Sequence, residues 1–444
     1  MPASSARSFV TADIDDPLAM RHASAQCLSL ALMDARNRSL AWLTAFEAVA
    51  PAAVSALNLA AFDPPAWWVG QAAWFQEYWT SRFPQRGRGA AADPRGVRLR
   101  SIDPRVDAWF APLTLSRRER WAQRTAFTSG LREYLGATLD ATLELLEKTE
   151  DSDAGLYFFR LALLHEDRIS ETLTAMARAM PAEQGAGVGV GMGVGVGVAA
   201  EQAAGLEVIA LSVPVAPARV RREPLGFGSS KAWLGTVAEP WRANAGLVPD
   251  NELPGFEVEV PDFSIDAQPV CWAEYAEFAV DGGYDEPRWW SAQGWHWVTD
   301  QGRRAPRHVE QLSGGVLVRS QGRLQRVPSG QSVLHVSWYE ADAWCRWAGR
   351  RLPAEPEWAL AVAQSQARGF VWGDGFEWVS GTAWAWPGQL EGPARLDAVP
   401  HLAGWRVLRG ASVATVPRLR HPGGRRFAAP VNDVMFCGFR SCAQ

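Results

Sequence analysis

The chain has 444 residues, of which 48% are hydrophobic and 21% are charged, and its formal net charge is −4. This length exceeds what one hydrophobic core usually organises, so we expect two domains. No basic run is interleaved with aromatic residues, which argues against nucleic acid as a partner. No apolar run has the length needed to span a membrane. The five cysteines form no CxxC pair, which favours the reducing cytoplasm over a disulfide framework.

The first 182 residues have the pattern of a helical bundle. Apolar residues recur near the 3.6-residue period over 28–46 and 131–146. A further helix is predicted over 67–79, where Pro64-Pro65 supplies a start signal, and a fourth over about 155–180. Four helices of this length predict an antiparallel four-helix bundle.

The chain changes character after this bundle. An alternation of Gly and Val predicts a low-complexity linker over 183–205. The rest, 206–444, combines short β-like runs with Gly/Pro turns and long irregular connections, which predicts a mixed α/β domain. The predicted strands are 206–215, 256–260, 316–318 and 333–336, and the predicted helices are 271–280 and 339–348.

One helical stretch, His165-Glu166-Asp167-Arg168-Ile169-Ser170-Glu171, has the spacing of half a metal site. Positions 165 and 169 are one helical turn apart and point the same way. A histidine at both positions would face the bundle interior with Glu171 close by. Ile169 has no lone pair, so the stretch indicates either a metal site that lacks one ligand or an interior histidine held by a hydrogen bond.

The C-terminal part contains separated strings in a fixed order: VCWAEYAEF (270–278), HVSWYEA (335–341), RWAGRRLP (346–353), VLRGAS (407–412) and GFR (438–440). Together they resemble the formylglycine-generating-enzyme-type (sulfatase-modifying-factor, C-type-lectin-like) fold. Members that generate formylglycine use a reactive cysteine pair near the C-terminus. Cys437 and Cys442 are close in sequence, but Cys437 lies inside a strand-like pattern, which does not favour a redox role for the pair.

The bundle carries a second resemblance. The string WWVGQAAWFQE (67–77) resembles the first ligand helix of the iron-dependent sulfoxide synthases that build ergothioneine. It is still more similar to their selenium-using relatives, the selenoneine synthases. The strings DDPLA (15–19), LSLALMDARN (28–37) and YFFRLAL (157–163) add to this likeness. The resemblance covers nearly the whole chain and implies an α+β protein, with a DinB-like bundle joined to the formylglycine-enzyme-type domain.

What this resemblance implies is specific. Three histidines hold a non-haem Fe(II), which joins sulfur or selenium to the imidazole carbon of hercynine. The sulfur comes from cysteine or γ-glutamylcysteine, and the selenium comes from a selenosugar. The three ligand positions correspond here to Gln71, His165 and Ile169. The candidate metal ligands are therefore His165 and Gln71, with Ile169 at the lost third position, and Gln offers only a weak carbonyl oxygen donor.

A further departure lies at Arg425-Arg426-Phe427, where relatives have an Arg-Asn-aromatic string. A bulky cation thus replaces an amide expected near the substrate. Arg426, Phe427 and Trp74 are the candidate substrate-binding residues. If the two aromatic rings converge on His165, they could retain a quaternary ammonium, because such cations are attracted to aromatic faces.

Three hypotheses follow. The first is a selenoneine-synthase-like iron enzyme that forms a carbon–selenium or carbon–sulfur bond with an altered ligand set. The second is a catalytically silent homologue that kept the two-domain scaffold and binds a small molecule or a protein. The third, a formylglycine-type modifying enzyme, is disfavoured because the bundle fits the synthases. The resemblance favours the first, whereas the coordination chemistry of one His with one Gln favours the second.

Overall fold

The computed structural model of the chain describes residues 13–57, 62–180, 213–236, 246–365, 367–388, 392 and 404–444. A helical N-terminal part precedes a part built on small sheets, so the predicted α+β class is confirmed. The Gly/Val tract, the predicted linker 183–205 and most of the predicted strand 206–215 lie outside the described residues. The division of the chain at 182 and 206 therefore stays a prediction.

The N-terminal part contains the four long helices that the sequence predicts. They are α1 (Ala25–Ala48), α3 (Pro65–Trp79), α7 (Leu131–Glu147) and α8 (Asp153–Ala179), and between them lie the short helices α2 (Pro51–Ala56), α4 (Val106–Phe110), α5 (Arg117–Ala122) and α6 (Arg124–Thr128). Pro65 occupies the first turn of α3, and the Ser152 hydroxyl caps α8. None of the described helices combines the length and apolarity needed to cross a membrane.

The C-terminal part contains eleven described strands: β1 (Leu225–Phe227), β2 (Ser230–Leu234), β3 (Phe256–Val260), β4 (Phe263–Ile265), β5 (Val309–Gln311), β6 (Val316–Ser320), β7 (Arg323–Val327), β8 (Phe376–Thr382), β9 (Arg406–Arg409), β10 (Arg425–Ala428) and β11 (Cys437–Gly438). A four-stranded sheet has the order β10-β9-β8-β11, with β11 parallel to β8 and the other pairs antiparallel. The strands β5-β6-β7 form an antiparallel sheet, and β1–β4 and β2–β3 form separate antiparallel pairs.

Two of the C-terminal helices are those predicted, α9 (Trp272–Val280) and α11 (Trp338–Trp347). The structure adds α10 (Ala292–Asp300) and α12 (Glu355–Gln364), which the sequence analysis missed. Both helices begin at residues that favour a helix N-terminus. The Ser291 hydroxyl caps α10, and Pro356 lies in the first turn of α12.

The predicted strand 333–336 is wrong. Ser332 makes only an isolated bridge to Cys271, and the residues that follow join no sheet. His335 has a φ of 62°, in the left-handed region, so an extended run cannot continue through it. Val333 and Val336 are buried, which explains why the apolar pattern resembled that of a strand.

Ion pairs and apolar contacts join the two parts of the chain. Arg418, in the loop between β9 and β10, donates to Asp167 on α8 and to Asp34 on α1. Phe436 packs in the same apolar cluster as Ile169 and Leu173 of α8. Helix α8 is therefore buried on one side by the bundle and on the other by the C-terminal part.

Candidate functional site

The predicted ligand positions Gln71 and His165 meet where α3 packs against α8. His165 Nε2 and Gln71 Oε1 are 2.6 Å apart, a hydrogen-bond distance. The Phe75 ring stacks on the imidazole, with ring centroids 3.8 Å apart. An amide oxygen can only accept, so in this orientation Nε2 carries the proton and donates it to Gln71. The Nε2 lone pair is then unavailable to a metal.

The third position does not supply a ligand. Ile169 is only 2% exposed and packs in the apolar core of the bundle with Leu173 and Met176. Within the described parts of the chain, no group of three or more His, Cys, Asp or Glu residues is placed to hold a metal ion. The residues present therefore do not fit the three-histidine Fe(II) centre that the resemblance implies.

The electrostatic surroundings keep His165 neutral. Burial, together with the positive charge of Arg168, lowers the pKa of His165 to about 3. The imidazole therefore remains uncharged at physiological pH. With Gln71 as its partner and Phe75 against its face, His165 matches the predicted alternative of a hydrogen-bonded interior histidine.

The third substituted position, Arg426, contacts the same helix. Its guanidinium donates to Glu171 Oε2 over 2.7 Å, and both side chains are largely buried. The guanidinium also lies 5.4 Å from the centroid of the Phe376 ring. Glu171, the acid expected beside the metal, is thus engaged in an ion pair across the two parts of the chain.

A cleft between the bundle and the C-terminal part lies next to these residues and has a cavity volume of about 80 Å³. Its charged lining residues are Arg21, Arg160, Asp167, Arg168, Glu252, Arg418, Arg425 and Arg426. Five of the six arginines are paired with a carboxylate: Arg21 with Glu252, Arg160 with Asp153, Arg418 with Asp167, Arg425 with Glu355 and Arg426 with Glu171. Arginines are six of the eight charged lining residues, and Phe376 is the one Phe, Tyr or Trp among the described lining residues.

The structure does not bring the predicted aromatic residues to this cleft. The Trp74 indole donates to Asp107 over 2.8 Å, and its ring packs in the bundle core. Phe427 packs in a separate core of the C-terminal part. On β10, side chains alternate between faces, so Phe427 points away from the face that carries Arg426. Trp74 and Phe427 therefore do not converge on His165, the arrangement that would have favoured retention of a quaternary ammonium, and a substrate-binding role for either residue stays a prediction.

Sequence reasoning missed the buried ion pairs beside the site. Arg36 of α1 donates from Nε to Glu166 over 2.9 Å, and both side chains are almost inaccessible. The signal was present in the sequence, because Glu166 and Asp167 interrupt an otherwise apolar helix face. Glu77 of α3 accepts hydrogen bonds from Tyr134 and Ser101, so this buried acid also serves the fold.

The C-terminal cysteines are buried thiols. Cys437 and Cys442 are free and fully buried. Burial raises the pKa of both thiols above the ordinary value, which disfavours the reactive thiolate. Their environment agrees with the expectation that this pair has no redox role.

Comparison with known proteins yields relatives for both parts of the chain. Residues 235–399 match the sulfatase-modifying factor enzyme 1-like domain family. Hercynine oxygenase of Mycolicibacterium smegmatis is 28% identical over 386 residues, which are 76% of this chain and 83% of that protein. The chain resembles hercynine oxygenases. Hercynine oxygenase of Mycolicibacterium thermoresistibile is 26% identical over 93% of this chain and 94% of its own length.

Formylglycine-generating enzymes match a smaller share. The enzyme of Streptomyces coelicolor is 32% identical over 161 residues, which are 33% of this chain and 50% of that protein. The hercynine oxygenases therefore account for the helical part as well as the C-terminal part. This supports the earlier preference for the synthases over a formylglycine-type modifying enzyme.

Proposed function

We propose that this protein is a hercynine-oxygenase homologue that binds a small carboxylate-bearing molecule in the interdomain cleft and lacks the three-histidine Fe(II) centre. The observation that carries the proposal is the hydrogen bond between His165 and Gln71, together with the buried Ile169 at the third position. One imidazole, one amide and one aliphatic side chain are a poor ligand set for Fe(II), which binds best to imidazole and carboxylate groups.

The charge of the cleft supports the choice of ligand. Arginines form most of its charged lining, and a guanidinium that already pairs with one carboxylate, as Arg426 does with Glu171, has further N–H donors for the carboxylate of a ligand. A trimethylammonium group would need aromatic faces, and the Phe376 ring already has Arg426 above it. The cleft is therefore better suited to the carboxylate end of a hercynine-like molecule than to its ammonium end.

The active-enzyme hypothesis rests on the motif resemblance. Selenium as the chalcogen, and a selenosugar or thiol as its donor, are predictions carried by the string 67–77. A cytoplasmic location is likewise a prediction, which the five free cysteines support. None of these predictions changes the ligand set, in which Gln71 and Ile169 stand at positions expected to hold histidines.

Iron binding and oxygen consumption test the proposal directly. The full chain would be purified without oxygen, loaded with Fe(II), and analysed for bound metal after gel filtration. Oxygen uptake would then be followed with hercynine and either a thiol or a selenosugar. We expect iron far below one equivalent and no uptake above buffer. One equivalent of tightly bound iron together with turnover would overturn the proposal.

A second test introduces histidines at the two predicted ligand positions that lack them, Gln71 and Ile169. Gln71→His combined with Ile169→His should gain Fe(II) binding, because it recreates three imidazoles on facing turns of α3 and α8. The control is Gln71→Asn combined with Ile169→Leu, which changes the same positions without adding a ligand. Circular dichroism establishes that both variants fold. A folded double-histidine variant that binds no more iron than the control would contradict this account of the site.

Ligand binding is tested by calorimetry with hercynine and with glycine betaine. We expect saturable binding of hercynine that weakens about tenfold or more in Arg426→Met, because a charged hydrogen-bond donor to the carboxylate is lost. The exposed Arg95→Met is the control for the loss of one positive charge. Equal affinities in wild type and Arg426→Met would exclude this role for Arg426.

A further inference from the structure

A second buried polar cluster lies where the C-terminal end of α8 meets the C-terminal part. Arg178, on the last turn of α8, and His335, just before α11, line a cavity of about 40 Å³. Arg307 and Phe436 also line it. This cavity shares no lining residue with the interdomain cleft described above.

Arg178 is a partly buried cation that has no carboxylate partner among the described residues. Within the described parts of the chain it has no ion-pair or hydrogen-bond partner, and its buried Nε–H is unsatisfied. Burial alone lowers the pKa of its guanidinium to about 10. The seven arginines that are buried among the described residues are each paired with a carboxylate; they are Arg36, Arg82, Arg160, Arg409, Arg418, Arg425 and Arg440. Arg178 differs from them in that its partly buried guanidinium has no described carboxylate to offset the cost of its burial.

His335 adds unsatisfied donors and acceptors to the same cavity. It is 2% exposed, and neither ring nitrogen makes a hydrogen bond of normal geometry. The main-chain carbonyl of Asp433 lies close enough to raise its pKa slightly, but burial and the neighbouring cations lower the pKa well below the ordinary value. His308 lies edge-on to it, with ring centroids 4.9 Å apart. A neutral imidazole still offers one N–H donor.

The carboxylates near this cluster are already engaged. Asp433 accepts from Arg303 over 2.5 Å and from Arg307 over 2.7 Å. Asp374 accepts from Arg219 and from the Ser332 hydroxyl. Asp433 is a single carboxylate shared by two arginines, so the described surroundings of the cavity carry an excess of positive charge even before Arg178 is counted. A metal cation would be repelled by Arg178, and no described group of three ligating side chains exists to hold one.

We propose that this cavity binds a small tetrahedral oxyanion of the phosphate or sulfate class, held by the Arg178 guanidinium and the His335 imidazole. Such an ion supplies both the missing counter-charge and the missing hydrogen-bond acceptors. The cavity exceeds the roughly 10–15 Å³ that one water needs, so it has room for a larger occupant. Ordered waters would satisfy the N–H groups but would leave the charge of Arg178 uncompensated.

The test measures anion binding by the full-length wild-type chain, freed of bound ions by dialysis at low ionic strength. Calorimetric titration with inorganic phosphate and with sulfate should show saturable one-to-one binding tighter than about 1 mM. Both ions should also raise the melting temperature more than chloride at the same ionic strength. Absence of saturable binding of either ion would overturn the proposal.

Arg178→Met is the decisive variant. It removes a partly buried charge that has no described carboxylate partner, so the variant should fold, and its phosphate affinity should be about tenfold or more weaker. Arg118→Met, an exposed arginine on α5, is the matched control. His335→Asn is a second variant whose residue tolerates a positive φ, and it should also weaken binding. Equal phosphate affinity in wild type, Arg178→Met and His335→Asn would refute the assignment.

A second titration, with glycerol phosphate, distinguishes a site for free phosphate from a site for a phosphorylated metabolite. Glycerol phosphate carries the same phosphoryl group on a larger molecule. Binding of both compounds would identify a site for the phosphoryl end of a metabolite, whereas binding of inorganic phosphate alone would identify a site for the free ion. Because this cavity is separate from the interdomain cleft, the Arg426→Met variant should bind phosphate as the wild type does.

Discussion

Two sets of residues on the same turn of α8 differ in how they are held. Glu166 and Asp167 lie in buried ion pairs with Arg36 and Arg418, which connect three parts of the sequence. His165, one residue earlier, has a single neutral hydrogen-bond partner at 2.6 Å. Replacing an ion-pair residue strands a buried charge, whereas replacing a ligand residue does not. The comparison teaches that the side chains at the predicted ligand positions can differ while the ion pairs that hold this part of the fold remain.

The largest effect is expected at the buried ion pair. Burial raises the pKa of Asp167 to about 6. This value is still below neutral pH, so the carboxylate is mostly ionised there. Asp167→Asn should lower the free energy of unfolding by up to about 3–5 kcal/mol, because the buried Arg418 guanidinium then keeps only the more exposed Asp34 as a close carboxylate partner. Urea denaturation measures this loss. Glu47→Gln, at the exposed pair with Arg132, is the control and should change stability by less than about 1 kcal/mol. If Asp167→Asn lowered the free energy of unfolding by less than Glu47→Gln does, the buried ion pair would not hold this part of the fold.

The next effect concerns the pH dependence of stability. His165 has its pKa lowered to about 3, while an unfolded histidine titrates near its ordinary value. Below about pH 6.5 the unfolded chain binds a proton that the folded chain does not, so stability falls as the pH falls. At about pH 5 the wild type should have lost about 2 kcal/mol relative to His165→Gln.

Denaturation curves at neutral and acidic pH measure this difference. The same substitution at the exposed His296 is the control and should show no such dependence. An identical pH profile for wild type and His165→Gln would show that His165 is protonated freely in the folded chain. The imidazole of His165 would then be accessible to solvent or to a metal, which would contradict a ring held neutral by its hydrogen bond to Gln71.

The smallest effect is expected at the contact between Glu171 and Arg426. A double-mutant cycle with Glu171→Gln and Arg426→Met should give a coupling energy of about 1 kcal/mol, because the pair is partly buried. The exposed pair of Lys231 and Glu257 should give less than about 0.5 kcal/mol. Equal coupling energies in the two cycles would mean that the contact between Arg426 and Glu171 stabilises the fold no more than an exposed ion pair does.

Local signals were enough to predict the bundle. The 3.6-residue period and Pro65 placed α3 within two residues, and the extent of α8 was predicted to the same accuracy. The C-terminal strands were harder, because an apolar run does not reveal the left-handed φ of His335 that ends it. Capping residues such as Ser291 could have revealed the missed α10.

The candidate site depended on contacts that no local pattern shows. Gln71 and His165 were paired through a family resemblance, and their hydrogen bond could not be foreseen from spacing. Arg418 meets Asp167 across 251 residues of sequence. The direction of the Trp74 ring follows from its hydrogen bond to Asp107, which also lies outside any local pattern. Such long-range partners are set by tertiary packing rather than by local propensity.

The position of Arg418 has a consequence for dividing the chain. A fragment with the bundle would keep Asp34 and Asp167, and the remaining fragment would keep the guanidinium that both carboxylates accept from. Each fragment alone would expose apolar surface beside an unmatched charge. Mixed together, the fragments would carry complementary charges at matching positions. The protein is therefore a candidate for fragment complementation, in which two separately made pieces recover one folded molecule.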